Sequence, residues 1–180
     1  MSLPEGNSPM IKMIGIAAVV FSCCSLGLLK SADMKKRLLQ LREWQRLVML
    51  LEHEITFNVT LPEAIRTVGS RAKEPFAGFL KSLCAQLDSY TGRSFSEIFV
   101  REATKHLEDS SLQSSDIREL CQLADMMGNA SKQMQKQILE HYLEELALVI
   151  HNLQAQLPEK QRLFRSLGIL GGAFLGILLL

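Results

Sequence analysis

Almost every charged residue of this chain lies between Lys30 and Arg165, and the stretches on either side are apolar. That segregation constrains the fold more than any motif does. Residues 13–29 carry no charge and are about as long as a bilayer-spanning helix needs to be. The second apolar segment runs from Leu167 to Leu180, or from Leu163 if Arg165 snorkels to the interface. It is short for a span; the favoured reading is a span, with a re-entrant or interfacial helix as the alternative. Lys30, Lys35, Lys36, Arg37 and Arg42 follow the first segment, and Lys160, Arg162 and Arg165 border the second. Lys and Arg are retained on the cytoplasmic side, so both ends predict a cytoplasmic middle and outward-facing termini.

A cleaved signal is the competing reading of the N-terminus, because Lys12 precedes the apolar run and Val20-Phe21-Ser22-Cys23 loosely resembles a lipoprotein cleavage box. Phe21 fits such a box poorly. The apolar run also continues past Cys23, and the basic cluster behind it resists translocation. Gly168, Gly172 and Gly176 repeat every fourth residue and share one helix face. Small residues at that spacing let a second helix approach closely in lipid. Ala18 and Ser22 give the first segment a weaker version, so the partner is either that segment or another subunit.

The middle reads as all-α. Leu, Gln, Glu and Lys are plentiful and aromatics are 6% of the chain, a mix that favours helix over strand. Leu41, Trp44, Val48, Leu51 and Ile55 form one stripe on a helix that continues from the first apolar segment. Thr60 and Glu63 suggest a capping box, with Pro62 in the first turn of a short helix ending near Gly69. Pro75 opens a helix with Phe76, Phe79, Leu80, Leu83 and Leu87 inward, closed by Tyr90-Thr91-Gly92. A helix from Ser94 uses Phe95, Ile98 and Phe99. Ser115 is the expected cap of the next, with Ile117, Leu120, Ala124 and Met127 inward and Gly128 at its end. Ser131 caps the last, whose expected stripe is Met134, Ile138, Tyr142, Leu146, Val149 and Leu153, with Pro158 separating it from the final segment. About six helices with short connections predict an antiparallel bundle. The expected domains are an extension at 1–9, membrane helices at 10–29 and 163–180, and a cytoplasmic bundle at 30–162.

Motifs for chemistry are missing. There is no phosphate loop, GxSxG turn, HExxH pair or dinucleotide turn. Cys23, Cys24, Cys84 and Cys121 show no ligand spacing and read as small buried hydrophobes. His141 with Glu145, and Glu102 with His106, are one turn apart and read as solvated ion pairs rather than metal ligands. His53, between Glu52 and Glu54, and His151 offer no ligand geometry. No catalytic, cofactor or metal residue is expected. A formal net charge of +1 argues against nucleic acid as a partner. The polar stretch Glu97–Ser111 and the face around Lys132, Lys136 and Glu140 are candidate docking surfaces.

Several of these segments, in order, resemble the stage III sporulation protein AB family. They are Met10-Ile11-Lys12-Met13-Ile14-Gly15, then Leu50-Leu51-Glu52-His53-Glu54-Ile55 followed by Thr60-Leu61-Pro62-Glu63-Ala64. Gly128 with Gln133, Gln135 and Gln137 comes next, and Arg165-Ser166-Leu167-Gly168-Ile169-Leu170-Gly171-Gly172 closes the set. Leu61-Pro62 inverts the family's usual order, and residues 1–9 lie outside its pattern, which makes Met10 the expected start. The resemblance implies a non-enzymatic membrane component of the channel complex between mother cell and forespore, in the mother-cell membrane. It implies a soluble domain similar to the cytoplasmic domain of type II secretion and type IV pilus platform proteins. By that analogy the partners are the ATPase stage III sporulation protein AA, other sporulation channel subunits and the lipid bilayer. A membrane-tethered signalling or scaffold bundle is the alternative.

Overall fold

A computed structural model describes residues 8–57, 59–89 and 92–179, with side chains from residue 32 to residue 158. Among the described residues there are six helices and no strand: α1 Ser8–Thr56, α2 Leu61–Gly69, α3 Phe76–Asp88, α4 Phe95–Leu107, α5 Ser114–Gly128 and α6 Lys132–Leu179. The chain divides into two compact units. One is residues 36–153; the other combines the N-terminal part of α1 through Lys35 with α6 from Gln154 onward. Among the described residues no helix is long and apolar enough to cross a membrane. The expected membrane helices at 10–29 and 163–180, and the packing residues Ala18, Ser22, Gly168, Gly172 and Gly176, lie outside those whose side chains are described.

The connections follow local chemistry, with two corrections. Ser94 caps α4 through a reciprocal box, its hydroxyl accepting from the Glu97 N–H at 3.2 Å while Glu97 accepts from the Ser94 N–H. The box expected at Thr60 does not form. Thr60 is extended and makes no side-chain cap, so Pro62 and the acidic Glu63 carry that terminus. Gly92 turns the chain after α3 with a φ of 68°, where a side chain would be strained. Nor does Pro158 end a helix: α6 runs through it. A proline inside a helix loses one backbone hydrogen bond, and the helix tolerates that loss here.

Consecutive helices α2 to α5 pack on one another, and three contacts fix the direction of the long ones. Arg37 reaches Asp116 at the head of α5. Trp44, Leu47, Val48 and Leu51 line the same apolar cavity, of about 30 Å³, as Leu123, Ala124 and Met127 toward its tail. At a rise of about 1.5 Å per residue, α1 must therefore run alongside α5 in the same sense. The Gln135 amide then donates to the Met127 carbonyl at 3.0 Å, and seven residues on, Tyr142 meets Trp44. Only a helix returning antiparallel to α1 satisfies both contacts.

The core holds Leu41, Trp44, Leu47, Val48, Phe76, Phe79, Leu83, Phe99, Ala103, Leu107, Leu120 and Leu139, all buried. On α6 the expected stripe is rotated at its start. Met134 is 54% exposed while Gln135 and Leu139 point inward, followed by Tyr142, Leu146, Ile150 and Leu153. Both stripes have helical spacing. Gln135 decides between them, because its side chain satisfies a carbonyl orphaned at the end of α5. On α5, Leu123 rather than Ile117 is buried, and Leu87 and Leu51 are half-buried.

Candidate functional site

No catalytic residue is expected from the sequence, and the candidate site considered is a surface; the polar side chains that shape it come first. Within the stretch Glu97–Ser111, Glu102 was expected on a solvated face. It is instead only 3% exposed, clamped between α3 and α4. The Ser82 hydroxyl donates to its Oε2 at 2.7 Å and Arg101 Nε donates to Oε1 at 3.1 Å. Arg101 also donates to Gln86 Oε1 at 2.8 Å. Burial by itself would raise the Glu102 carboxyl. The bonds from Ser82 and Arg101 outweigh it and hold the group below the ordinary value of 4.5. A carboxylate held ionised is an anchor, not a proton donor. His106 Nε2 sits 3.8 Å from that carboxylate, too far for a hydrogen bond. What remains for docking is the outer side of α4: Val100, Arg101, Thr104, Lys105 and Glu108.

A second carboxylate ties α1 to the loop before α3. Glu43 accepts two bonds from Arg46, at 2.6 and 3.0 Å, and one from the Lys73 N–H at 3.1 Å. Arg46 also donates to the Arg71 carbonyl at 2.7 Å. The Arg46 hydrogen bonds pull the Glu43 carboxyl below its ordinary value. The sign for stability follows. Glu43 and Glu102 are both depressed in the fold, so their contributions are full above about pH 4.5, the unfolded value, and are lost as pH falls through the folded ones. Glu102→Gln should lower stability at neutral pH and flatten the acid limb of a pH–stability profile read by circular dichroism. An acid limb identical to the parent's would contradict that assignment.

Other expected residues fall as follows. His141 and Glu145 are 3.5 Å apart and both exposed, a solvated pair as expected. His53 stacks edge-on against Phe57 with centroids 4.7 Å apart. Lys136 pairs with Glu140 at 3.6 Å on the exposed face of α6. Cys84 and Cys121 are free and half-buried, and burial pushes both thiols up, which leaves them poor nucleophiles. Cys23 and Cys24 lie outside the described side chains. Among the described residues, no group of three or more His, Cys, Asp or Glu side chains could hold a metal ion.

One contact was missed entirely. Arg37 was expected only as part of the basic cluster beside the first apolar segment, yet it makes a bidentate pair with Asp116, at 2.7 and 2.8 Å. Asp116 is 4% exposed and also accepts from the Gln113 N–H at 2.8 Å. That carboxylate starts α5 at Ser114, ahead of the expected Ser115 cap. Trp44 Nε1 donates to the Tyr142 hydroxyl at 3.0 Å in the core, where burial raises the phenol well above its usual range.

The bundle and both apolar ends fall inside a single match: the sequence profile of stage III sporulation protein AB covers residues 12–180. The chain belongs to the stage III sporulation protein AB family. It is therefore a sporulation protein, in a family not known for enzymes. A solved structure titled stage III sporulation protein AB superposes with a TM-score of 0.61 at 22% identity, over 68% of this chain and 98% of that one. At that identity the likeness establishes a shared fold. No curated protein matches the chain significantly. The family match accounts for the helical fold and leaves the polar anchors at Glu43, Glu102 and Asp116 with the structural roles their geometry gives them.

Proposed function

We propose that this chain is a non-enzymatic membrane component of the secretion-like channel between mother cell and forespore, docking a cytoplasmic ATPase. The observation that carries the reading is the extent of the family match. It takes in both apolar ends and the helical domain between them, in one order, from residue 12 to residue 180. The distribution of Lys and Arg next to each apolar segment supports two membrane helices and a cytoplasmic bundle. The glycine face at Gly168, Gly172 and Gly176 suits close packing on a second membrane helix, with Ala18 and Ser22 as the candidate counterpart. The outer face of α4, anchored from behind by Glu102, is the proposed ATPase contact, with Val100 at its centre.

Sporulating cells carrying a tagged copy provide the test. Membrane pelleting followed by capture should bring down stage III sporulation protein AA, and fluorescence should place the chain in the mother-cell membrane at engulfment. Val100→Glu, on an exposed position, should reduce the ATPase captured while the chain still pellets with membranes. A chain that never associates with the ATPase or another channel subunit would sink the reading.

A further inference from the structure

Two exposed faces of the domain are complementary to each other. On α1, Leu39, Arg42, Met49 and Phe57 (the last just past the helix end) fall within an arc of about 80°, repeating over about 27 Å of helix. Leu39, Met49 and Phe57 are 64%, 47% and 67% exposed. Arg42 is exposed, and no ion-pair partner is found for it among the described residues. The neighbouring Glu43 is already held by Arg46. This is a basic ridge set with large apolar side chains.

On α6, Met134, Glu144, Glu145 and Leu148 fall within an arc of about 100°. Met134 and Leu148 are 54% and 65% exposed, and both glutamates are exposed. Glu119 of α5 stands close enough to add to this acidic face. Its carboxyl is pushed up, first by desolvation, then by Asp116 and by Glu145. Arg37 draws the same carboxyl down. His141, on the same arc, stands 3.5 Å from Glu145, so Glu144 is the carboxylate of this ridge for which no ion pair is found among the described residues.

We propose that copies of this chain bind one another head to tail, the basic apolar ridge of α1 on one copy seating on the acidic apolar ridge of α6 on the next. The contact brings Arg42 to Glu144, beside the His141–Glu145 pair, and covers apolar side chains that are otherwise wet. Because the two faces are different surfaces, the contact is heterologous and propagates into a ring or an open arc. The register rests on the membrane reading above, in which neighbouring copies stand at one height; the complementarity does not. At one height the level of Trp44 and Tyr142 is shared, and the antiparallel run of the two helices sets Leu39 opposite Leu148 and Arg42 opposite Glu144. Screening by high salt weakens the contact.

The test uses the full chain in detergent, with two different tags on two populations and capture of one by the other. Parent copies should co-purify. Arg42→Glu and Glu144→Arg should each cut co-capture about tenfold, the size of an unfavourable charge contact at an interface. Mixing the two variants should restore it, since each then meets an opposite charge across both faces. Both side chains are exposed, so helical content and melting should match the parent. As a second measurement, a chain with Leu39→Cys and another with Leu148→Cys should be joined by a short bis-maleimide, and neither alone above the level of the native cysteines. Capture unchanged by the reversals would assign association to the apolar ends instead. Failure of the mixture to recover, or of the parent to co-purify, would equally overturn the proposal. Membrane pelleting scored in parallel reads loss of anchoring apart from loss of this contact.

Discussion

Asp116→Ala is expected to destabilise the domain by about 3 kcal/mol, because breaking one side of a buried ion pair strands the other charge. Arg37 makes both of its guanidinium bonds to that carboxylate and its side chain is 16% exposed. Some of the cost is relieved if the guanidinium swings out to water, which sets the estimate at the low end of the usual range. The substitution also removes the acceptor of the Gln113 N–H and an acid from the first turn of α5. The double variant R37M/D116L should recover part of the loss, since apolar residues of similar volume often replace a buried pair at little cost. Denaturant midpoints of the parent, the single variants R37M and D116L, and the double form the cycle that measures the coupling. A loss under about 1 kcal/mol for Asp116→Ala would show that the pair is effectively solvated.

Phe79→Ala should cost about 4 kcal/mol, the range for emptying a fully buried aromatic site. Its side chain is 0% exposed, and its ring meets Phe99 edge-on with centroids 5.0 Å apart. Phe95, half-buried and 5.8 Å from the same Phe99 ring, should cost clearly less when truncated. Thermal melting followed at the helical signal ranks the two. Equal losses would mean that the centre of the core is not where α3 crosses α4.

Two buried carboxylates, Glu102, which the sequence reading put on a solvated face, and Asp116, which it did not single out, show why such anchors are hard to see. Glu102 and His106 have the spacing of a solvated i,i+4 pair, and nothing local separates that from a buried acid. Burial came from Ser82, twenty residues earlier on α3, and from Arg101 turning back over the carboxylate. Asp116 presents the same problem across 79 residues. Arg37 was read only as a member of the basic cluster beside the first apolar segment, so its sequence position gave no hint of a buried partner. The core of α3 was legible because Phe76, Phe79, Leu80 and Leu83 repeat at helical spacing with no rival register. On α6 the expected register was the more apolar of two with helical spacing, and a polar residue, Gln135, turned the helix to the other by meeting the end of another helix.

By itself the sequence determined the helical class, the order of the helices, most of the α1 and α3 core, and the family. Each of these rests on periodicity, composition or ordered motifs, which are properties of near neighbours along the chain. Only the tertiary structure decided which face of α6 turns inward, that Glu102 and Asp116 are buried and held, and that a basic face on α1 and an acidic face on α6 stand exposed on one domain. Those depend on which distant side chain satisfies a buried donor, acceptor or charge. Local spacing carries no record of that.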